Sequence, residues 1–391
     1  MAGVISRGIQ GPIIREGDDI VDLVVKSVYA SEKEDGYSLK DRDIIAVTES
    51  VVARAQGNYV SVDQVAQDIQ NKFNSKKLGL VFPILSRNRF SVTLKAIARA
   101  MDQVVVLFSY PNDEVGNPLM ARSAYVKHKY DDAGSYDEAS FVATFGSPVH
   151  PFTGVNYLDF YREVIESEGA KATFLFSNDC RAIATACDHI LCCDIHTRQE
   201  TRDTLAEMGK TVYTLADIMS APIDGSGCHE TYGLLGSNKA TEEKLKLFPR
   251  NCQPVVDGIQ ARIQKERGIQ VEAMIYGDGA FKDPVGGIWE LADPVVSPAY
   301  TAGLAGRPNE LKLKYLADND FADLSGEALK RAIRQEIQSK NADLVGDMSA
   351  EGTTPRQYTD LLGSLCDLTS GSGDKGTPFI VIQNYFKNYA E

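Results

Sequence analysis

Three stretches of the chain carry residue types that could do chemistry. The first is Gly277-Asp278-Gly279-Ala280-Phe281-Lys282-Asp283-Pro284, directly after the apolar run Glu272 to Tyr276. That run reads as a buried strand, and Gly, Asp and Pro then force a turn at its end. Carboxylates at a strand's C-terminal edge, on backbone that glycine permits, can hold a divalent cation against a phosphate. The same residues also make a plain turn that does no chemistry. The second stretch is Tyr110-Pro111-Asn112-Asp113-Glu114-Val115-Gly116-Asn117-Pro118, closing the β-forming run Gln103 to Ser109. It sets a carboxylate, Asp113, and an amide, Asn117, among turn formers. In the third, the apolar run Asp43 to Thr48 enters Glu49-Ser50-Val51-Val52-Ala53-Arg54-Ala55-Gln56-Gly57. Thr, Glu and Ser at a helix start, with Arg54 one turn on, suit a phosphate and equally suit ordinary capping.

The elements that must position these residues follow from periodicity. Asp18 or Asp19 caps an amphipathic helix through Ile20, Leu23, Val24 and Val28. Helices are expected over Val62 to Phe73, Leu94 to Met101, Tyr157 to Glu168, Thr197 to Met208, Pro254 to Arg267 and Gly326 to Lys340. Strands are expected at Ala172 to Phe176, His189 to Asp194, Thr211 to Leu215 and Phe379 to Gln383. From Asp131 onward, strands and helices alternate as in a small parallel α/β unit. That unit has no glycine-rich dinucleotide fingerprint and no P-loop. A basic helical stretch is expected at Lys239 to Leu247. The Ser/Gly-rich segment Thr369 to Pro378, with Lys375, can wrap a phosphate or form a mobile loop.

Bulk properties narrow the function. The 391 residues suffice for two or three domains. A net charge of −13 argues against a nucleic-acid or anionic-membrane surface, which needs a basic face. No apolar run approaches the roughly 20 residues of a membrane helix. No signal peptide follows Met1, so a cytoplasmic location is expected. The seven cysteines do not space like a disulfide framework and read as reduced thiols. His189, Cys192, Cys193 and His196 suggest zinc, but residues of one strand alternate between its faces and do not converge.

Taken together, the pieces resemble the γ-glutamyl ligases that add glutamate to the deazaflavin coenzyme F-420. The matching segments are Pro12 to Ile20, Asp43 to Gly57, Gly277 to Pro284, and the final helix from Asp360 through Asp367 to Gly371. The two ends of the chain carry the resemblance; the middle has no recognised counterpart and reads as an insertion. The expectation is an α/β fold: a ligase-like core of mixed sheets, 1–130 with 269–391, and an inserted parallel α/β unit, 131–268.

The resemblance implies an amide-forming ligase. GTP, or ATP, phosphorylates a carboxylate, and the amine of L-glutamate attacks the acyl phosphate. Mg²⁺ or Mn²⁺ would be held by Asp113, Asp278 and Asp367, with Asp283 standing in where the family's threonine is Gly279. Arg54 and Asp278 would be catalytic. Pro12, Ile13, Ile14, Arg15, Glu49, Ser50, Arg54 and Asn117 would line the nucleotide. A deazaflavin or folate-like acceptor and a homodimer are the implied partners. Three departures stand against the family pattern: Gly279, Glu49-Ser50 in place of Ser-Lys, and one extra residue between Asp113 and Asn117. They keep open a second reading, a nucleotide- or phosphate-binding regulatory protein that retained the fold without the chemistry. A dehydrogenase built on the middle unit lacks its glycine fingerprint.

Overall fold

The computed structural model describes residues 3–128, 134–277, 281–282, 289–290, 294–350, 356–370 and 374–391. In chain order the N-terminal elements are β1 (Ile5–Ile9), α1 (Ile20–Asp35), β2 (Ile44–Thr48), α2 (Glu49–Ala55), β3 (Tyr59–Ser61), α3 (Val62–Phe73), β4 (Lys77–Val81), α4 (Ser91–Ala100) and β5 (Gln103–Phe108). The middle supplies α5 (Arg122–Lys127), β6 (Tyr136–Asp137), α6 (Glu138–Phe145), α7 (Tyr157–Ser167), β7 (Lys171–Phe176), β8 (His189–Cys192), α8 (Arg198–Glu207), β9 (Thr211–Thr214), β10 (Asn238–Thr241) and β11 (Lys244–Lys246). The rest comprises α9 (Gln253–Arg267), β12 (Glu272–Tyr276), β13 (Phe281–Lys282), β14 (Trp289–Glu290), β15 (Ala299–Tyr300), α10 (Leu313–Asp318), α11 (Gly326–Ser339), α12 (Tyr358–Thr369) and β16 (Phe379–Gln383).

The fold is α/β, as expected, and two sheets dominate it. One has five strands in the order β1-β16-β2-β12-β15. Its central pair, β2 and β12, is parallel, and β16 runs antiparallel to β2. These strands are continuous apolar runs because both faces are covered. Ile45, Val47, Ala273, Ile275 and Val381 point to one side, against α1 and α9. Ile44, Ala46, Met274, Ile380 and Ile382 point to the other, against Leu362 and Cys366 of α12.

The second sheet has six strands in the order β6-β7-β5-β4-β8-β9. All its pairs are parallel except β6 with β7. The expected boundary at 130/131 falls inside this sheet, because β5 pairs with β7 along its whole length. The alternation of strand and helix therefore begins at β4, and pairing reaches across the change of sequence texture. One face buries Leu78, Leu80, Val104, Val106 and Phe174 with Val65, Leu94 and Tyr161. The other buries Val81, Val105, Leu107 and Ile190 with Ile183 and Leu205.

A small sheet, β10-β11-β3, joins the two. It corrects the helix expected over Lys239 to Leu247. The segment forms a hairpin instead, with Leu245 opposite Val60 and fully buried. Lys, Glu and Leu favour helix, but pairing with β3 overrides that preference. None of the seven cysteines forms a disulfide. Among the described residues, no helix is long and apolar enough to cross a membrane.

Candidate functional site

The parallel strands β2 and β12 end side by side, with Thr48 and Tyr276 as register partners. The chain leaves β2 directly into α2, whose first turn carries Glu49 and Ser50. Thr48 holds the N-cap position in extended conformation and makes no side-chain cap bond. Its N–H donates to Pro378 O at 3.1 Å. The loop before β16 is thereby laid along the same strand edge. From the other direction, Gly11 N–H donates to Gly376 O at 3.1 Å. A β-carbon at Gly11 would stand 2.8 Å from the Phe379 ring and 2.9 Å from Pro378. Only glycine allows this approach.

Between these segments lies a cavity of about 340 Å³. Its walls are Gly11 to Ile14 from the N-terminal loop, Thr48, Ser50, Val51 and Arg54 around α2, Tyr276 from β12, and Ser370 with Gly376 to Pro378 from the C-terminal loop. Sequence-expected residues thus meet here: Pro12, Ile13, Ile14, Ser50 and Arg54. Arg54 is exposed, and its Nε donates to Ile14 O at 2.5 Å. Among the described residues, no carboxylate pairs with its guanidinium. Gly17 N–H donates to Ala55 O at 2.8 Å, tying the N-terminal loop to the same helix. The cavity therefore combines one cation, several hydroxyls and an apolar rim in which Ile13 is 81% exposed. Tyr276 is buried, which raises its phenol above the ordinary value. Tyr276, Ser370 and Thr377 were not among the expected residues. The last two come from the Ser/Gly-rich segment, whose sequence suits a phosphate wrap or a mobile loop.

Among the described residues, Arg15, Glu49, Asp113, Asn117 and Asp367 do not line this cavity. Arg15 is exposed, and its N–H donates to Asp18 Oδ2 at 2.6 Å within its own turn. Glu49 is buried, and Lys246 Nζ lies 3.0 Å from both its carboxylate oxygens. Asp113 and Asn117 belong to the loop after β5, in the other sheet. Asp113 accepts from Leu85 N–H at 2.7 Å, Val115 N–H at 3.1 Å, Asn117 N–H at 2.8 Å and Asn117 Nδ2 at 2.9 Å. Burial pushes its carboxyl up to about 6, against the pull of those bonds. Its carboxylate oxygens are engaged by N–H groups of its own loop and of Leu85. Asp367 sits one turn before the cavity residue Ser370, whose Oγ donates to Asp367 O at 3.1 Å. Asp278 and Asp283 lie outside the described residues. Gly277, just before Asp278, is buried and donates to Val296 O at 2.8 Å. Among the described residues, no three His, Cys, Asp or Glu side chains gather as a metal group. His189, Cys192, Cys193 and His196 form none either.

The parallel strands of the second sheet, read β7-β5-β4-β8-β9, change direction of winding between β4 and β8. Ligands of such sheets bind in the crevice at that switch point, often as an anion on a helix N-terminus. Here the chain fills the crevice itself. Glu114 accepts from the N–H groups of Ile195 at 2.6 Å, His196 at 2.9 Å and Thr197 at 2.7 Å, just before α8, and its Oε1 lies 3.0 Å from Thr197 Oγ1. The neighbouring cavity, between Ile84, Cys193 and Ile195, holds about 20 Å³, room for a single water. Beside it Asp194 is fully buried. Its Oδ2 accepts from Thr201 Oγ1 at 2.7 Å and lies 2.8 Å from Thr197 Oγ1, while Oδ1 has no hydrogen-bond partner.

The chain is a member of the F420-0:gamma-glutamyl ligase family, whose model matches residues 8–384. The match spans residues 131–268 as well as the two ends of the chain. Among curated proteins, the coenzyme F420:L-glutamate ligase of Methanothermobacter thermautotrophicus is 34% identical over 64 residues. That alignment covers 16% of this chain and 24% of the relative, so the chain spans about a quarter of the relative's length.

Proposed function

We propose that the protein is a nucleotide-dependent γ-glutamyl ligase that joins L-glutamate to a carboxylate-bearing small-molecule acceptor through an acyl phosphate. The observation that carries this reading is the convergence of the Gly11 to Ile14 loop, Arg54 and the Ser370 to Pro378 loop on one cavity. That cavity is lined by Tyr276, the last residue of β12. In this reading GTP or ATP lies with its phosphates toward Arg54 and the hydroxyls of Thr48, Ser50, Ser370 and Thr377. Backbone N–H groups and hydroxyls around a cation suit a polyphosphate, and the apolar rim at Ile13 and Val51 suits a flat base. Arg54 orients the transferred phosphate and offsets its growing charge. Mg²⁺ or Mn²⁺ is assigned to Asp278, Asp283 and Asp367, not to Asp113. The acceptor is of deazaflavin or folate type, since both end in a carboxylate suited to extension. A homodimer is the expected assembly.

The test is phosphate release from GTP and ATP with Mg²⁺ or Mn²⁺ and L-glutamate, with and without a panel of deazaflavin and folate acceptors. Acceptor-dependent release, with product mass rising in glutamate steps, supports the ligase. Tight nucleotide binding by calorimetry without release on any acceptor supports the regulatory reading instead. The saturated bonding of Asp113 is the observation that favours that second reading.

A further inference from the structure

α2 supplies Ser50, Val51 and Arg54 to the cavity, yet it is only seven residues long. A helix of that length does not hold itself in water. Its position, and with it the direction of Arg54, depends on what grips it from outside.

The grip comes from residues 228–250, far along the chain. At the start of α2, Lys246 Nζ lies 3.0 Å from both oxygens of Glu49, and both side chains are buried. At its end, Asn58 is fully buried and ties four segments together. Its backbone N–H donates to Ala53 O at 3.1 Å, and its carbonyl accepts from Leu247 N–H at 2.9 Å. Its Nδ2 donates to Cys228 O at 3.1 Å and Phe248 O at 2.8 Å, and its Oδ1 accepts from Cys228 N–H at 3.1 Å. Beside it, Gln56 and Arg250 exchange two bonds: Gln56 Nε2 to Arg250 O at 2.5 Å, and Arg250 N–H to Gln56 Oε1 at 2.9 Å. β3, which follows α2, pairs with β11 so that Tyr59 faces Lys246. The circuit from α2 through β3 and β11 back to Glu49 is closed.

We propose that Lys246 and Asn58 are positioning residues for the cavity: neither lines it, and both act by fixing the two ends of α2. The identity of the ligand as a nucleotide rests on the function proposed above; the fixing of α2 does not. Removing one partner of a buried ion pair strands a charge, whereas replacing both by apolar groups of similar size often leaves stability intact. The informative variant is therefore Glu49→Leu combined with Lys246→Met. The full-length variant is compared with wild type by thermal melting, by amide exchange of α2 and by calorimetry with GTP and ATP.

The expected result is a melting temperature within about 5 °C of wild type. Exchange at Val52, Ala53 and Arg54 should be at least about ten-fold faster, with nucleotide binding weakened by a similar factor. Gln56→Ala strands no charge, so it provides a folded variant in any event; it should speed exchange at Ala53 to Gln56 by about three-fold or more. Wild-type exchange throughout α2 in both variants overturns the proposal, whatever happens to nucleotide affinity. A wild-type protein that binds neither GTP nor ATP sinks the nucleotide reading alone, and the exchange measurement still decides the positioning.

Discussion

Thr48 and Tyr276 are register partners at the ends of parallel strands β2 and β12. The helix that carries Ser50 and Arg54 and the chain after Tyr276 therefore leave the sheet from one edge, although 228 positions (276 − 48) separate the two partners in sequence. Of the residues on that edge, Arg54 has the clearest single role. Arg54→Met should weaken GTP or ATP binding by at least ten-fold, about 1.4 kcal/mol. Its loss to stability should be only about 1 kcal/mol, the worth of one partly buried bond to Ile14 O. Calorimetry and thermal melting on the same sample check both halves.

The two acidic turns separate by phenotype. Asp113→Ala leaves the N–H groups of Leu85, Val115 and Asn117 without their acceptor, and should cost about 3 kcal/mol in urea unfolding. Asp278→Asn should abolish turnover while the melting temperature stays within a few degrees of wild type. Unchanged turnover in Asp278→Asn would remove the central turn from the chemistry.

Asp194 gives a pH prediction. Burial pushes its carboxyl up to about 6 and Glu114 adds to the rise, against bonds from Thr201 and Thr197 that lower it. The folded state thus holds this proton more tightly than the unfolded chain, whose carboxyl titrates near 3.9. The group's contribution to stability is fully present below about pH 4 and is lost as pH rises through about 6. Asp194→Asn should therefore be more stable than wild type above pH 6, by about 1 kcal/mol or more, with the gap closing toward pH 4. Urea midpoints at pH 4.5, 6 and 7.5 measure it. A constant gap across that range would mean that the carboxyl does not titrate there.

Much of this architecture was legible residue by residue. The runs Glu272–Tyr276, Phe379–Gln383 and Val62–Phe73 have the expected bounds because each is decided by a local pattern, with a Ser61 capping box at the start of the helix. The cavity was half legible: Pro12 to Ile14, Ser50 and Arg54 are in it, while Tyr276 is hidden in a strand whose alternate faces look equally apolar. Pairing between distant segments was not legible. The ion pair between Glu49 and Lys246, 197 positions on, has no signal in either local pattern. Likewise β5 reads as part of the N-terminal unit until β7 is laid beside it.

Close packing at Gly11 gives a test of the cavity wall. Gly11→Ala places a methyl 2.8 Å from the Phe379 ring, so the N-terminal loop must move away from β16. The expected cost is about 1–3 kcal/mol, with nucleotide affinity falling in step because Pro12 and Ile13 move with it. Gly17→Ala, where a β-carbon meets nothing but φ is +85°, should cost stability alone and serves as the control.

The order of strands in the first sheet also governs how the chain is made. Every strand of the six-stranded sheet has left the ribosome once residue 214 is clear, so that sheet can close early. β2 has no such option: its neighbours are β12 at Glu272–Tyr276 and β16 at Phe379–Gln383. An apolar strand emerging at residue 44 must wait through most of synthesis for both edges to be covered, and an uncovered apolar edge recruits other chains. Products truncated before β16 are the ones that should aggregate, and slowed synthesis should lengthen the vulnerable interval.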